Sequence, residues 1–495
     1  MKLKIVYIIC AYLIFCAVLA SCGANDEDTG ITTVETAEQQ EETIMAEEEQ
    51  PPLPDFPHEA HTFNGKIFNI LVEEEPMNFL KITDFEMEEE PSDVLNTAIF
   101  RRNRIVEEML DIKITSVNTT DVRGIITRAV RAGIDDYDAV ALRLWHAAPV
   151  AMAGEAVNLN DLQYLSLDMS WWDQNIIRDM SVDNQSYLIA GDIFTKHYDA
   201  IAMIFFNKRL LADYALESPY ALVENNQWTL DKFGELTKNI TRDLDGDGAI
   251  THSDMFGFST QADFLASIIN GSGAKFVEKD NDDIPYFTGA SEKISDIINK
   301  VFNFYISDTF CVHRDALAHN VPFDRMHQFM VFPESRSLFL WGLPRFLDLE
   351  LRNMEDDFGM LPIPKYDSGQ DRYYATANTW HSYAWLIPQS AGNPDTTAYI
   401  MDAMAYHGRI HILPAYYDVT LTRKHTRDEE SGEMLDIIFN SAVYDIGVVY
   451  NLGSYIGNLE SMIQRNVNNM ASEHERVAAR IETDLNRLIE QFTNR

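Results

Sequence analysis

Twelve consecutive residues carry the sharpest chemical signal in this chain: Asp243-Leu244-Asp245-Gly246-Asp247-Gly248-Ala249-Ile250-Thr251-His252-Ser253-Asp254. Oxygen donors recur at loop positions 1, 3, 5, 7, 9 and 12, the ligand spacing of an EF-hand calcium loop. These donors are Asp243, Asp245, Asp247, the Ala249 carbonyl, Thr251 and Asp254. Calcium is a hard cation that takes about six to eight oxygens, and carboxylates at this density supply them. Gly248 stands where the chain must turn sharply. Position 12 is Asp where the motif has Glu, which shortens the arm for a bidentate contact. A helix over 230–240 should lead into the loop, and Met255-Phe256-Gly257-Phe258 should leave it as a strand or turn. Such a unit cannot open as a paired sensor hand does. The expected role is a static calcium staple, with affinity of roughly 10⁻⁴–10⁻³ M.

Aromatic rings are the second resource. Trp145, Trp171, Trp172, Trp341, Trp380 and Trp385 fall near predicted strand ends or loops. Rings there can stack on sugar faces, while the same residues also serve cores and interfaces. Other chemistry is thin. No GxSxG, HExxH, P-loop or paired CxxC motif occurs. His407 and His411 share a helical i, i+4 spacing without a carboxylate at metal spacing. Cys311, between Phe310 and Val312, reads as a small buried hydrophobe.

The elements that must position these groups begin with a buried-strand run, Lys66 to Val72. Val94, Leu95, Ala98, Ile99, Ile105, Val106, Met109 and Leu110 recur at helical spacing, with Ser92 or Asp93 placed to cap. A strand at 113–117, a helix at 121–132 and a strand at 137–142 follow. This β-α-β-α-β order predicts a parallel sheet with helices on its faces. Ligands on such sheets bind beyond the carboxyl ends of the strands, where Arg143 to Pro149, with Trp145 and His146, leaves the third strand. Apolar runs at 198–206, 358–364 and 385–388 predict further strands. Helical spacing recurs at 291–305, around Tyr455 to Ile463 and from Val477 to Leu488.

Length and charge set outer limits. The chain has 495 residues, is 46% hydrophobic, and carries a formal net charge of −39, which opposes a nucleic-acid backbone or an anionic membrane surface as partner. Met1-Lys2-Leu3-Lys4 precedes an apolar run to Ala20, and Leu19-Ala20-Ser21-Cys22-Gly23 resembles the bacterial lipobox. Residues 1–21 therefore read as a lipoprotein signal peptide, with Cys22 lipidated. Gly23 to Ala60 holds 12 acidic residues and no Lys or Arg. Residues 22–60 thus read as a self-repelling, extended tether. About 435 folded residues remain, 61–495, too many for one comfortable core, so two lobes discontinuous in sequence are expected.

Several short segments together resemble the extracellular solute-binding lipoproteins of bacterial ABC transporters, especially the family-1, sugar-type group. They are Tyr137-Asp138-Ala139-Val140, Trp171-Trp172-Asp173-Gln174, Ala190-Gly191-Asp192, Phe205-Phe206-Asn207-Lys208-Arg209-Leu210, Trp228-Thr229-Leu230-Asp231, the acidic loop, and Asp357-Phe358-Gly359-Met360-Leu361-Pro362. The resemblance implies an α/β, two-lobed type II periplasmic-binding-protein fold, a hinge crossed more than once and an interlobe cleft. It further implies a carbohydrate ligand, ABC permease subunits as partners, a monomer and no catalysis. By position, Asp192 and Trp341 look like cleft-lining residues of relatives; Trp145 and Trp380 join them. One departure concerns Pro333-Glu334-Ser335-Arg336-Ser337, which stands where relatives often carry a Gly. Two alternatives compete. One is a calcium-stapled cell-surface scaffold or adhesion lipoprotein, since the acidic loop also resembles a dockerin repeat, although only one copy is present. The other is a surface glycoside hydrolase, which needs a carboxylate pair that sequence alone does not select.

Overall fold

The computed structural model describes residues 53–74, 85–248, 250–251, 253–261, 263–303, 311–313, 330–421 and 429–494. The expected signal peptide, Cys22, most of the acidic tether and Ala249 lie outside these residues, as does the side chain of Cys311. The folded unit runs from Asp55 to Arg495.

Its first half is built as the β-α-β-α-β pattern predicts. Strands β1 (Lys66–Glu73), β2 (Ile112–Thr119) and β3 (Ala139–Arg143) are linked by helices α1 (Val94–Leu110) and α2 (Val122–Ala132). Strand β1 is central and parallel to both neighbours, with Leu71 opposite Val117 on one side and Val140 on the other. Phe68, Ile70, Leu71 and Val72 are all buried, as expected for a strand covered on both faces. The Asp93 carboxylate caps α1 by accepting from the Asn96 backbone N–H at 2.9 Å. Helix α3 (Leu144–Met152) follows β3 directly, so the stretch after Arg143 is helical from its start.

A second sheet takes the order β10-β4-β9-β5-β8, numbering the strands β4 (Met203–Asn207), β5 (Phe256–Thr260), β6 (Val277–Lys279), β7 (Pro285–Phe287), β8 (Cys311–His313), β9 (Ser337–Gly342) and β10 (Phe358–Leu361). The apolar run at 198–206 is divided. Residues Thr195–Ala200 form a 3₁₀ turn, closed by the Ile201 N–H donating to the Tyr198 carbonyl, and only then does β4 begin. The division is where the chain leaves the first half for the second.

Two more passages join the halves. After β10 the chain forms β11 (Ala375–Thr376) and returns to the first sheet as β12 (Tyr383–Leu386), antiparallel to β3. Helix Pro394–Leu421 packs on α1, and helix Glu429–Asn440 packs on β10 in the other half. Strand β13 (Ala442–Val443) then pairs with β11, making a two-stranded ribbon from two of the connecting segments. Helices Tyr455–Arg465 and Met470–Thr493 close the chain, and both match the expected periodicity.

Residues 55–60, read from sequence as the end of the tether, belong to the folded unit. Phe56 packs edge-on against Tyr399, His58 packs tilted on the same ring, and His58 Nε2 lies 2.9 Å from Asp402 Oδ2. Two rings and a carboxylate partner offset the ordering entropy that the acidic composition suggested would prevail.

Candidate functional site

The carboxyl end of the first sheet gathers charged groups and rings. Glu73 ends β1, Arg143 ends β3, and Trp145 and His146 open α3. Glu73 is fully buried and accepts from Arg143 Nε at 2.7 Å, from the Arg143 backbone N–H at 2.9 Å, and lies 2.7 Å from His146 Nδ1. Burial alone would raise its pKa. The hydrogen bonds from His146 and Arg143 outweigh that and hold it below the ordinary carboxylate value. The Tyr383 hydroxyl, on β12, donates to the Glu73 carbonyl at 3.0 Å.

The segment between β11 and β12 lies against this strand end. The Trp145 N–H donates to the Thr379 carbonyl at 3.1 Å, and the Leu144 N–H to the Ser382 carbonyl at 2.9 Å. These bonds bring Trp380 onto Trp145 as a stacked pair, with ring centroids 4.2 Å apart and planes at 23°. Trp380 remains 46% exposed. An exposed large ring on a connecting segment offers a flat apolar face beside fixed polar groups.

The second sheet reaches the same segment. Asn378 Nδ2 donates to Asp263 Oδ2 at 3.2 Å, and Gln261 Nε2 donates to that oxygen at 2.8 Å; both follow β5. Arg345, just beyond β9, contacts His381. Groups at the carboxyl ends of β3, β5 and β9 therefore meet at residues 378–382, and the end of β1 joins them at the adjacent Tyr383. The arrangement combines rings for stacking with donors and acceptors of both signs, which suits a neutral, hydroxyl-rich ligand.

Of the four residues singled out from sequence, Trp145 and Trp380 are brought together. Asp192 and Trp341 do not offer the open faces expected of cleft residues. Asp192 is 1% exposed and lies under helix Pro394–Leu421, accepting from Arg409 Nη1 and the Tyr198 hydroxyl, each at 3.0 Å. The approach is so close that a Cβ on Gly408 would sit 2.0 Å from the Asp192 carbonyl oxygen. Burial raises the Asp192 pKa to about 7, against the opposing pull of Arg409. Trp341 is 1% exposed on β9, opposite Ile204 of β4, within the apolar core. Its buried Nε1 has no hydrogen-bond partner among the described residues.

The Trp171–Trp172 pair is also internal. Both indole N–H groups donate to Asp402 Oδ1, at 2.9 and 2.8 Å, and both rings are buried. Asp173 then caps the next helix through the Asn175 N–H at 2.8 Å. The segment is a structural clamp. Sequence reasoning missed Glu73, Asp402 and Asp263. Only Glu73 had a usable signal, as the acid that ends the first parallel strand.

The acidic loop gathers three of its expected donors. Ligand atoms of Asp243, Asp245 and Asp247 lie within 4.8 Å of one another, and all three side chains are exposed. Asp243 accepts from the N–H groups of Gly246 and Gly248, whose positive φ of 75° and 84° suits glycine. Asp254 stands apart from that trio. It is buried and closes the loop by accepting from the Thr251 N–H at 2.6 Å and the Leu244 N–H at 2.8 Å. Those bonds lower its pKa. Arg336 Nη1 donates to the Asp254 carbonyl at 2.9 Å, tying the loop to the start of β9. The neighbouring Ser335 takes φ 60°, the left-handed backbone that a glycine would adopt freely.

No family model and no curated protein sequence matches this chain. Solved structures do. An extracellular solute-binding protein of Staphylococcus aureus in complex with maltose aligns with a TM-score of 0.58 at 14% identity, over 86% of this chain and 99% of that one. UspC of M. tuberculosis aligns at 0.56 and 12% identity, over 84% and 100%. An ABC substrate-binding protein of Listeria monocytogenes in complex with cycloalternan aligns at 0.53 and 11%, over 85% and 99%. The shared property is the fold, and this chain has the two-lobed α/β periplasmic-binding-protein architecture.

Proposed function

We propose that this chain is the substrate-binding component of an ABC importer. It captures a sugar or oligosaccharide outside the membrane, closes two lobes around it and passes it unchanged to a permease. The observation that carries this reading is the Trp145–Trp380 stack, half-buried at Trp145 and exposed at Trp380, at the meeting point of both sheets' carboxyl ends. The fold supports it, because proteins of the same architecture hold maltose and cycloalternan. Closure is favoured only by contacts that a ligand makes with both halves, and residues 378–382 already touch groups from each. The chain works as a single copy.

Two attachments belong to the same reading. Cys22 carries lipid and the acidic stretch after it spaces the folded unit from the membrane. No described helix is long and apolar enough to cross a membrane. The acidic loop holds calcium through Asp243, Asp245 and Asp247, with Thr251 and the Ala249 carbonyl completing the set, as a staple beside the second sheet.

The test is a thermal-shift screen of the purified protein against malto-oligosaccharides, other oligosaccharides, peptides and polyamines, followed by calorimetric titration of each hit. A saccharide should raise the melting temperature by mass action and be recovered intact. Stabilisation by peptides or polyamines alone, or release of new reducing ends, would overturn the proposal.

A further inference from the structure

A cavity of about 340 Å³ is lined by none of the groups assigned to the ring pair. Its volume is within the range of small-molecule sites, roughly 300–1,000 Å³. Three parts of the fold line it. Arg178 and Asp179 come from helix Gln174–Met180, tied to the first half by the Trp172–Asp402 bond and the Ile189–Trp385 bridge. Lys275 and Lys279 come from the segment after helix Phe264–Gly271, which follows β5 of the second sheet. Arg372 and Tyr444 flank the ribbon β11–β13.

The charge of this lining is the reverse of the chain's. The protein carries 78 acidic against 39 basic residues. The cavity carries four cations, Arg178, Lys275, Lys279 and Arg372, against two carboxylates, Asp179 and Glu278. Two of those cations share one acid, because Arg178 Nε and Lys275 Nζ both reach Asp179 Oδ1, at 3.0 and 2.9 Å. Lys279 is engaged by Asp283 and by the Ser181 carbonyl at 3.1 Å. Arg372 is exposed, lies 4.8 Å over the Tyr374 ring, and has no carboxylate within ion-pair distance among the described residues. Against the four cations stand Asp179, Glu278 and Asp283, so one positive charge remains in surplus, with Arg372 the lining cation that no carboxylate among the described residues pairs.

We propose that this cavity binds a small oxyanion, a phosphate or a carboxylate, as a second ligand distinct from the one held at the ring pair. The wall positions both fork-shaped and point-charge donors, the combination that recognises such anions. Because the lining comes from both halves and from the ribbon between them, the anion makes different contacts when the halves move. Its binding is thereby coupled to binding at the ring pair, and the coupling is reciprocal. The coupling rests on the importer reading; binding of the anion does not.

The experiment titrates inorganic phosphate and, separately, acetate into the purified protein by calorimetry, with sodium chloride matched for ionic strength. Saturable heat from phosphate or from acetate, absent with chloride, is expected, and whichever anion responds identifies the class. Arg372→Gln should weaken that binding about tenfold, in line with one charge-assisted contact, while leaving the anion-free melting temperature unchanged. Lys275→Gln tests the opposite wall. With a saccharide bound, the anion's affinity should shift in the wild type. No saturable heat from either anion, an equal response to chloride, or unchanged binding in both variants overturns the site. Anion binding that is indifferent to the saccharide overturns the coupling alone.

Discussion

The acidic loop and the ring pair are built on opposite plans. Every donor of the loop comes from residues 243–254, and its shape is fixed by its own backbone, with Gly246 and Gly248 donating to Asp243. The ring pair joins a helix start at Trp145 to a connecting segment at Trp380, and its polar surroundings come from four strand ends. A local motif is complete as soon as its residues are written down. An assembled site exists only when both sheets have formed and the chain has passed between them. The first can be damaged without harm to the fold, whereas parts of the second are the fold.

The largest effect should come from Glu73→Gln. It leaves Arg143 and His146 facing a neutral amide in a buried setting, and breaking such a pair costs about 3–5 kcal/mol. Urea denaturation should show this loss; a change below about 1 kcal/mol would mean that the strand end is not integral to stability. Next are Trp145→Ala and Trp380→Ala. Each should weaken saccharide binding about tenfold, near 1.4 kcal/mol, by calorimetric titration. Trp380→Ala should barely alter the melting temperature, since that ring is 46% exposed. Undiminished affinity in both variants would remove the rings from the site.

A smaller effect separates the two regions directly. At 1 mM calcium, a staple of the expected affinity stabilises the chain by about 0.4–1.4 kcal/mol. Asp245→Asn should abolish the calcium response and leave saccharide affinity as it was. A loss of saccharide binding in that variant would show the loop and the ring pair to be one system.

The remaining effects are in pH dependence, and the signs differ. The Asp254 pKa is lowered by backbone N–H donors, so its stabilisation is present above its ordinary value of 3.8 and is lost as pH falls through the lower folded value. The Asp192 pKa is raised by burial to about 7, so stability is lost as pH rises from 3.8 to about 7. Thermal melts from pH 3 to pH 8 should show Asp254→Asn converging with the wild type in acid and Asp192→Asn lacking the decline toward neutrality. Parallel profiles for all three proteins would contradict both assignments.

These contrasts also explain what could be read in advance. Strand β1, helix α1 with its Asp93 cap, and the terminal helices follow from local periodicity, which neighbouring residues dictate. The convergence of the Asp243, Asp245 and Asp247 carboxylates was legible for the same reason. The Trp145 position followed from the strand-end rule applied to β3. The burial of Asp192 and Trp341 was not legible, because it depends on a partner, the helix above Asp192 and strand β4 beside Trp341, that spacing does not reveal. The Asp402 clamp was invisible, since one carboxylate serving two indoles joins residues far apart in the chain. The folded unit begins earlier than the acidic composition suggested because Phe56 and His58 find rings and a carboxylate waiting on the first half.

That early docking decides where mechanical load enters the protein. Phe56, His58 and Tyr399 fasten the incoming chain to the half that contains the first sheet, at the Asp402 node. A pull from upstream of residue 55 is thus borne by one half alone.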